Sequence, residues 1–241
     1  MTAPNPAYPL IIALDYPDAA LVWPVIEQLT PPICFWKVGL ELFVAAGPDV
    51  VQQLKAHEQR VFLDLKLHDI PNTVVGACRA AAALGVDLLT LHASGGVRML
   101  QSAVEAVQSS ETKLLAVTLL TSLGEEELRA ELGVERCARD YVLHLARLAQ
   151  QAGVHGVVCS PWEAASVREV CGPNFLIVTP GIRLPGAEAE DQRRVCTPGE
   201  ALRRGADYLV IGRTVTQHPE PRLALAHVLA DIASTTHDPS D

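Results

Sequence analysis

Eight short runs rich in Val, Ile and Leu recur along the chain, and they alternate with longer stretches whose apolar residues return every three or four positions. The runs are PLIIALD (9–15), CFWKVGL (34–40), RVFLDLKL (60–67), DLLTLHA (87–93), KLLAVTLL (113–120), GVVCS (156–160), FLIVTP (175–180) and DYLVIGR (207–213). Each is too short for a helix and reads as a strand. The periodic stretches predict helices over 18–29, 41–57, 72–84, 96–109, 140–152, 161–170 and 197–204, with a last one over 219–233. Four strands are entered through a glycine, in LGVDLLTL, AGVHGVVCS, CGPNFLIV and RGADYLVIG. Glycine just past a helix end is the usual left-handed exit into a returning strand.

Eight strand-then-helix units without a linker predict an α/β protein, a (β/α)8 TIM barrel spanning 1–241 as a single domain. Its polar or proline-rich ends are expected to fray near 1–7 and 234–241. The competing doubly wound sheet would carry a GxGxxG turn after its first strand, where this chain reads LDYPDAA. With 241 residues and 49% hydrophobic content, the chain can bury a core of that size. A net charge of −9 argues against a nucleic-acid partner, since phosphate backbones are held by clustered Lys and Arg. The cysteines at 34, 78, 137, 159, 171 and 196 form no CxxC pair and read as small buried thiols in a reducing compartment. The N-terminus has no basic region, and Asp15 interrupts its apolar run well short of a membrane span. A cytoplasmic chain with no membrane partner is expected.

Barrels collect their chemistry at the carboxyl ends of the strands, and here those ends are unequally furnished. The first strand ends at Asp15, the second carries Lys37, and the third carries Asp64 and Lys66 with Asp69 just beyond. The fifth leads into Thr121 and Ser122, the seventh into TPGIR, and the eighth into Gly212 and Arg213. Side chains of a strand alternate, so Asp64 and Lys66 face the barrel axis while Leu63, Leu65 and Leu67 face the helices. A buried ion is costly unless paired. Lys66 between Asp64 and Asp69, with Lys37 as a second cation, meets that demand. An ion-pair network that merely registers the barrel is one reading. Two lysines and two or three carboxylates at the catalytic face favour the other, a catalytic array. A lysine held by carboxylates stays protonated and is poised to donate a proton rather than to form a Schiff base. The absence of HExxH, of a His/Cys cluster and of a nucleophile elbow disfavours metal hydrolysis and acyl transfer.

The loops after the last two strands point to phosphate. Gly181 and Gly212 leave backbone amides approachable, Arg213 can fork onto phosphate oxygens, and Arg183 and Gln192 add donors. Arg193, Arg194, Arg203 and Arg204 fit solvated loop arginines as well. His68 reads as a hydrogen-bonded support residue, although a second catalytic role is open to it, and His92 is expected at the barrel top without an assigned role. Pro71 keeps Ile70 out of helical conformation and Asn72 is a suitable cap, so IPNT has a structural use in starting the third helix.

FLDLKLHDIPNTV resembles the signature of the orotidine 5'-phosphate decarboxylase family, an Asp-x-Lys-x-x-Asp core followed by Ile-Pro-x-Thr. LDYP, KVGLELF, AVTLLTS, GVVCS, VTPGIR, DQRR and YLVIGRTVTQ resemble further family segments in the same order, from about residue 9 to 233, and DQRR and IGRTVTQ look most like the bacterial branch. The resemblance implies decarboxylation of orotidine 5'-phosphate to uridine 5'-phosphate in pyrimidine synthesis, without cofactor or metal. It implies Lys66 as proton donor in an array of Lys37, Asp64, Lys66 and Asp69. It also implies Asp15 and Lys37 at the ribose, Thr121 and Ser122 at the pyrimidine, and Arg183, Gln192, Gly212 and Arg213 at the phosphate. A homodimer follows from it too, with Asp69 and Thr73 reaching the other subunit's site, and a closing loop over 182–194 hinged near Gly181, Pro185 and Gly186. Two rivals stand: a metal-dependent 3-keto-gulonate-phosphate decarboxylase or hexulose-phosphate synthase, which shares the Asp-x-Lys-x-x-Asp core, and a nucleotide-binding barrel without turnover. IPNT, the TS after the fifth strand and DQRR argue against the first.

Overall fold

The structure is a computed structural model that describes residues 8–184 and 196–235. Its strands are β1 (Leu10–Ala13), β2 (Phe35–Gly39), β3 (Arg60–Leu67), β4 (Leu88–His92), β5 (Lys113–Val117), β6 (Gly156–Val158), β7 (Leu176–Thr179) and β8 (Tyr208–Ile211). They pair in parallel in sequence order and close into a barrel, with Ile11 of β1 opposite Val210 of β8. Each observed strand lies within its predicted run. The four glycine exits all take a positive φ, of 73° at Gly85, 84° at Gly153, 81° at Gly172 and 95° at Gly205.

The helices in order are α1 (Val22–Leu29), α2 (Leu40–Ala46), α3 (Asp49–Ala56), α4 (Pro71–Ala83), α5 (Gly96–Val107), α6 (Glu125–Ala130), α7 (Ala138–Gln151), α8 (Pro161–Cys171), α9 (Pro198–Arg203), α10 (Arg213–Thr216) and α11 (Pro221–Thr235). The single helix expected over 41–57 is two, because Gly47 (φ 66°) and Pro48 break it. The periodicity predicts neither α6 nor α10, each only one or two turns long. Asn72 is not the cap of α4: Pro71 occupies the first helical position and Ile70 stands at the cap without a side-chain bond. Ser160 and Thr197 do cap α8 and α9, accepting from Trp162 and Glu200 amides. Of the ends expected to fray, residues 1–7 and 236–241 lie outside the described residues, while 234 and 235 continue α11. No described helix is long and apolar enough to cross a membrane.

Alternation along the strands divides the apolar residues into two cores. Ile11, Phe35, Phe62, Leu88, Leu115, Val178 and Val210 fill the barrel, while residues such as Ile12, Val38, Leu63, Leu89 and Ile211 pack outward against the helices. The barrel floor is closed by aromatic and cationic groups. Phe35 and Tyr208 meet edge to face at 5.6 Å, and the Arg60 guanidinium lies 3.9 Å from the Phe35 ring centre. Arg60 is held in turn by Asp87 at 3.4 Å. The opposite end carries Asp15, Lys37, Asp64 and Lys66.

At the floor, the Leu114 amide donates to His155 Nδ1 at 3.0 Å, which requires the neutral ring with its proton on Nε2. Burial, then the charge of Lys113, holds the His155 pKa below its ordinary 6.5. The unfolded chain therefore takes up this proton first as the pH falls. The stability contributed by the neutral ring is complete above pH 6.5 and is lost as the pH drops through the lower folded value. Thermal melts between pH 7 and 5 should show a smaller acid-induced loss for His155→Asn, whose carbonyl oxygen accepts the amide at any pH. Equal losses in the two proteins would remove His155 from the acid response.

Candidate active site

At the carboxyl ends of the strands lies a cavity of about 240 Å³, a size near the lower end for small-molecule sites. Asp15, Lys37, Asp64 and Lys66 line one part of it, and Gly181, Arg183, Gly212 and Arg213 another. Thr121 and the apolar side chains of Phe62, Val117, Leu119 and Val158 complete the wall. The arrangement suits a ligand with a flat, weakly polar body and an anionic end.

The charged part is a chain of alternating sign. Lys37 Nζ lies 2.8 Å from Asp15 Oδ1 and 3.9 Å from Asp64 Oδ2, and Lys66 Nζ lies 2.8 Å from the same Asp64 oxygen. Lys37 and Asp64 are buried, whereas Asp15 is close to half exposed. Removing one member of a buried pair strands the other charge, at a cost of about 3–5 kcal/mol. Asp64 Oδ1 accepts a hydrogen bond from the Thr90 hydroxyl at 2.9 Å, so both carboxylate oxygens have partners. Thr90 is fully buried and was not singled out by the spacing of charges along the chain. The only signal for it in the sequence is its inward position between Leu88 and His92 in DLLTLHA.

Strict alternation along β3 holds as far as Asp64. Above it the ladder with β4 shifts register between Leu63 and Leu67, and Lys66 takes a φ of 52°. Leu65 and Leu67 still pack on the outer core, and the Lys66 ammonium still reaches Asp64.

Other expected site residues stand elsewhere. Asp69 does not join the array within one chain: it is exposed, and its Oδ1 accepts from the Ile70 amide at 2.6 Å rather than pairing with Lys66. Thr73, in the first turn of α4, is exposed and away from the cavity wall. Ser122 is also exposed and off the wall, unlike its neighbour Thr121. Gln192 and most of the 182–194 segment, with Pro185, Gly186, Arg193 and Arg194, lie outside the described residues. His92 does not line the cavity. Its ring centre lies 5.3 Å from that of His68, and burial, then the charges of His68 and Lys66, push its pKa down. Among the described residues, no group of three or more His, Cys, Asp or Glu is placed to hold a metal ion.

The sequence model of the Orotidine 5'-phosphate decarboxylase / HUMPS family matches residues 8–228. The orotidine 5'-phosphate decarboxylase of Moorella thermoacetica is 51% identical over 230 residues, covering 92% of this chain and 91% of its own length. That of Gloeothece citriformis is 50% identical over 226 residues, covering 93% and 97%. Among solved structures, the orotidine 5'-phosphate decarboxylase of Lactobacillus acidophilus superposes with a TM-score of 0.82 at 38% identity, over 93% of this chain and 98% of that one.

Gly39, at the end of β2, shows how tightly the array is packed. A Cβ there would stand 2.7 Å from Lys37 Nζ and 3.1 Å from Asp15 Oδ1. A methyl group must therefore push the ammonium aside, because the lysine tip moves more easily than the backbone. Gly39→Ala should fold with a melting temperature near wild type and bind nucleotide about tenfold more weakly, one displaced charge-assisted hydrogen bond being worth about 1.5–3 kcal/mol. Titration calorimetry with uridine 5'-phosphate measures this, and unchanged affinity would show that Lys37 has room to spare.

Proposed function

The chain belongs to the Orotidine 5'-phosphate decarboxylase / HUMPS family and decarboxylates orotidine 5'-phosphate to uridine 5'-phosphate in pyrimidine synthesis, and we propose that Lys66 is the group that delivers the proton. The observation that carries this reading is the Lys66 ammonium, held 2.8 Å from Asp64 and facing a cavity with two arginines elsewhere on its wall. Loss of carbon dioxide leaves its electron pair on the ring carbon. An ammonium fixed beside that carbon stabilises the developing charge and then transfers a proton to it, and the amine recovers its proton from solvent. Asp64 holds the ammonium aimed, while Lys37, paired with Asp15, compensates the second negative charge of the array. Two lysines already stand at this carboxylate, and no cofactor enters the reading.

In this reading Asp15 and Lys37 hold the ribose and Thr121 faces the pyrimidine. Arg183, Gly212 and Arg213, with Gln192, bind the phosphate. Phosphate takes no part in bond breaking, so its contacts accelerate the reaction by holding the ring against Lys66. The enzyme works as a single barrel domain in the cytoplasm.

Asp69, Thr73 and Ser122 act from outside the single-chain cavity. For Asp69 and Thr73 the reading is a homodimer in which they complete the partner's site. Ile70 (68% exposed), next to Asp69 in the chain, supplies apolar surface for a second copy to cover.

Purified protein should convert orotidine 5'-phosphate in the presence of a chelator, followed by the ultraviolet absorbance of the pyrimidine. Lys66→Ala should lose turnover by about a hundredfold or more while still binding uridine 5'-phosphate. A Lys66→Ala enzyme with full turnover would overturn the donor assignment. Lys66→Ala and Asp69→Ala proteins, each inactive, should regain about a quarter of wild-type activity after equal mixing and subunit exchange, since half the dimers then hold one intact site. No recovery would place Asp69 in its own subunit's site.

A further inference from the structure

The seam between β3 and β4 departs from a regular ladder at one place. Phe62 and Leu63 pair with Leu88 and Leu89, but the next pair is Leu67 with Leu91. Asp64, Leu65 and Lys66 therefore stand across from Thr90 alone. Surplus chain in a ladder leaves backbone groups without their opposite partner. It is absorbed at Lys66, whose φ of 52° lies in a region that a lysine seldom occupies. Thr90 is fully buried, and its one hydroxyl is used twice. It accepts from the Lys66 amide at 2.9 Å and donates to Asp64 Oδ1 at 2.9 Å. Asp64 Oδ2 holds the Lys66 ammonium at 2.8 Å. The result is a closed ring of contacts in which the backbone of Lys66 and the tip of its side chain are both referred to one carboxylate.

We infer that Thr90 is a positioning residue for the decarboxylation, fixing the Lys66 ammonium by bonding at once to the backbone that carries it and to the carboxylate that holds it. The inference rests on Lys66 being the proton donor. Thr90 does not line the cavity and so acts through Lys66 and Asp64, not on the substrate. A hydroxyl suits this place because it can accept and donate through one atom, where an apolar residue of the same shape would leave both the Lys66 amide and Asp64 Oδ1 unserved.

Thr90→Val keeps the shape and removes both bonds. Its kcat should fall by about ten- to a hundredfold, the loss expected when a reacting group is misplaced by about 1 Å. KM and the affinity for uridine 5'-phosphate should change by less than about threefold, because the loss falls on the transition state. Thr90→Ser restores the hydroxyl and should recover most of kcat. If the valine variant does not fold, Thr90→Cys, whose thiol is a weak donor and acceptor, gives the same reading against Thr90→Ser. Unchanged kcat in Thr90→Val overturns the inference. So does a parallel fall of kcat, nucleotide affinity and melting temperature in both the valine and serine variants, which would make Thr90 a packing residue. Lys66→Ala, assayed beside them, separates the two levels. If it is active, the donor assignment falls and this inference with it. If it is inactive while Thr90→Val turns over normally, only the part given to Thr90 falls.

Discussion

A carboxylate buried at the mouth of the barrel sets the terms for its surroundings. Asp64 sits above an apolar interior, where an unpaired charge is costly and paired charges interact strongly. One of its oxygens takes the Thr90 hydroxyl and the other faces two lysines. Lys37, drawn toward Asp64, has Asp15 on its other side, and Gly39 must lack a side chain for that pair to fit. The demands of one buried group thus reach across β1, β2, β3 and β4. They leave an ammonium aimed and partly open to the cavity, as the proposed protonation of a carbanion requires.

β3 organises the barrel along its axis. Arg60, Phe62, Asp64 and Lys66 follow one another at every second position, from the aromatic floor through the apolar middle to the cavity. The floor group is a cation that lies over the Phe35 ring and pairs with Asp87. The upper groups are ions that solvent and ligand can reach. The same periodicity that packs the core also carries Asp64 to the cavity.

Much of this was legible in the chain. Short apolar runs and glycine exits foretold eight strands in the right places, because strand length, helix period and left-handed turns are local properties. Charges at the strand ends foretold the pairing of Asp64 with Lys66 and the proximity of Lys37, because a closed parallel barrel brings neighbouring strand ends together. Short helices such as α6 and α10 left too little periodicity to be seen, and Gly47 and Pro48 divided a helix that its apolar pattern presented as continuous.

The sequence by itself determined which residues face inward and which strand ends carry charge, since both follow from a period of two and a parallel order. Only the tertiary structure decided that Asp69, Thr73 and Ser122 turn away from the cavity of their own chain, that β3 bulges above Asp64, and that Thr90 ties Asp64 to Lys66. Those outcomes depend on the register between segments more than twenty residues apart in the chain. Register is set by the packing of whole strands and helices, and no local pattern around Thr90 records which residue of β3 it will face.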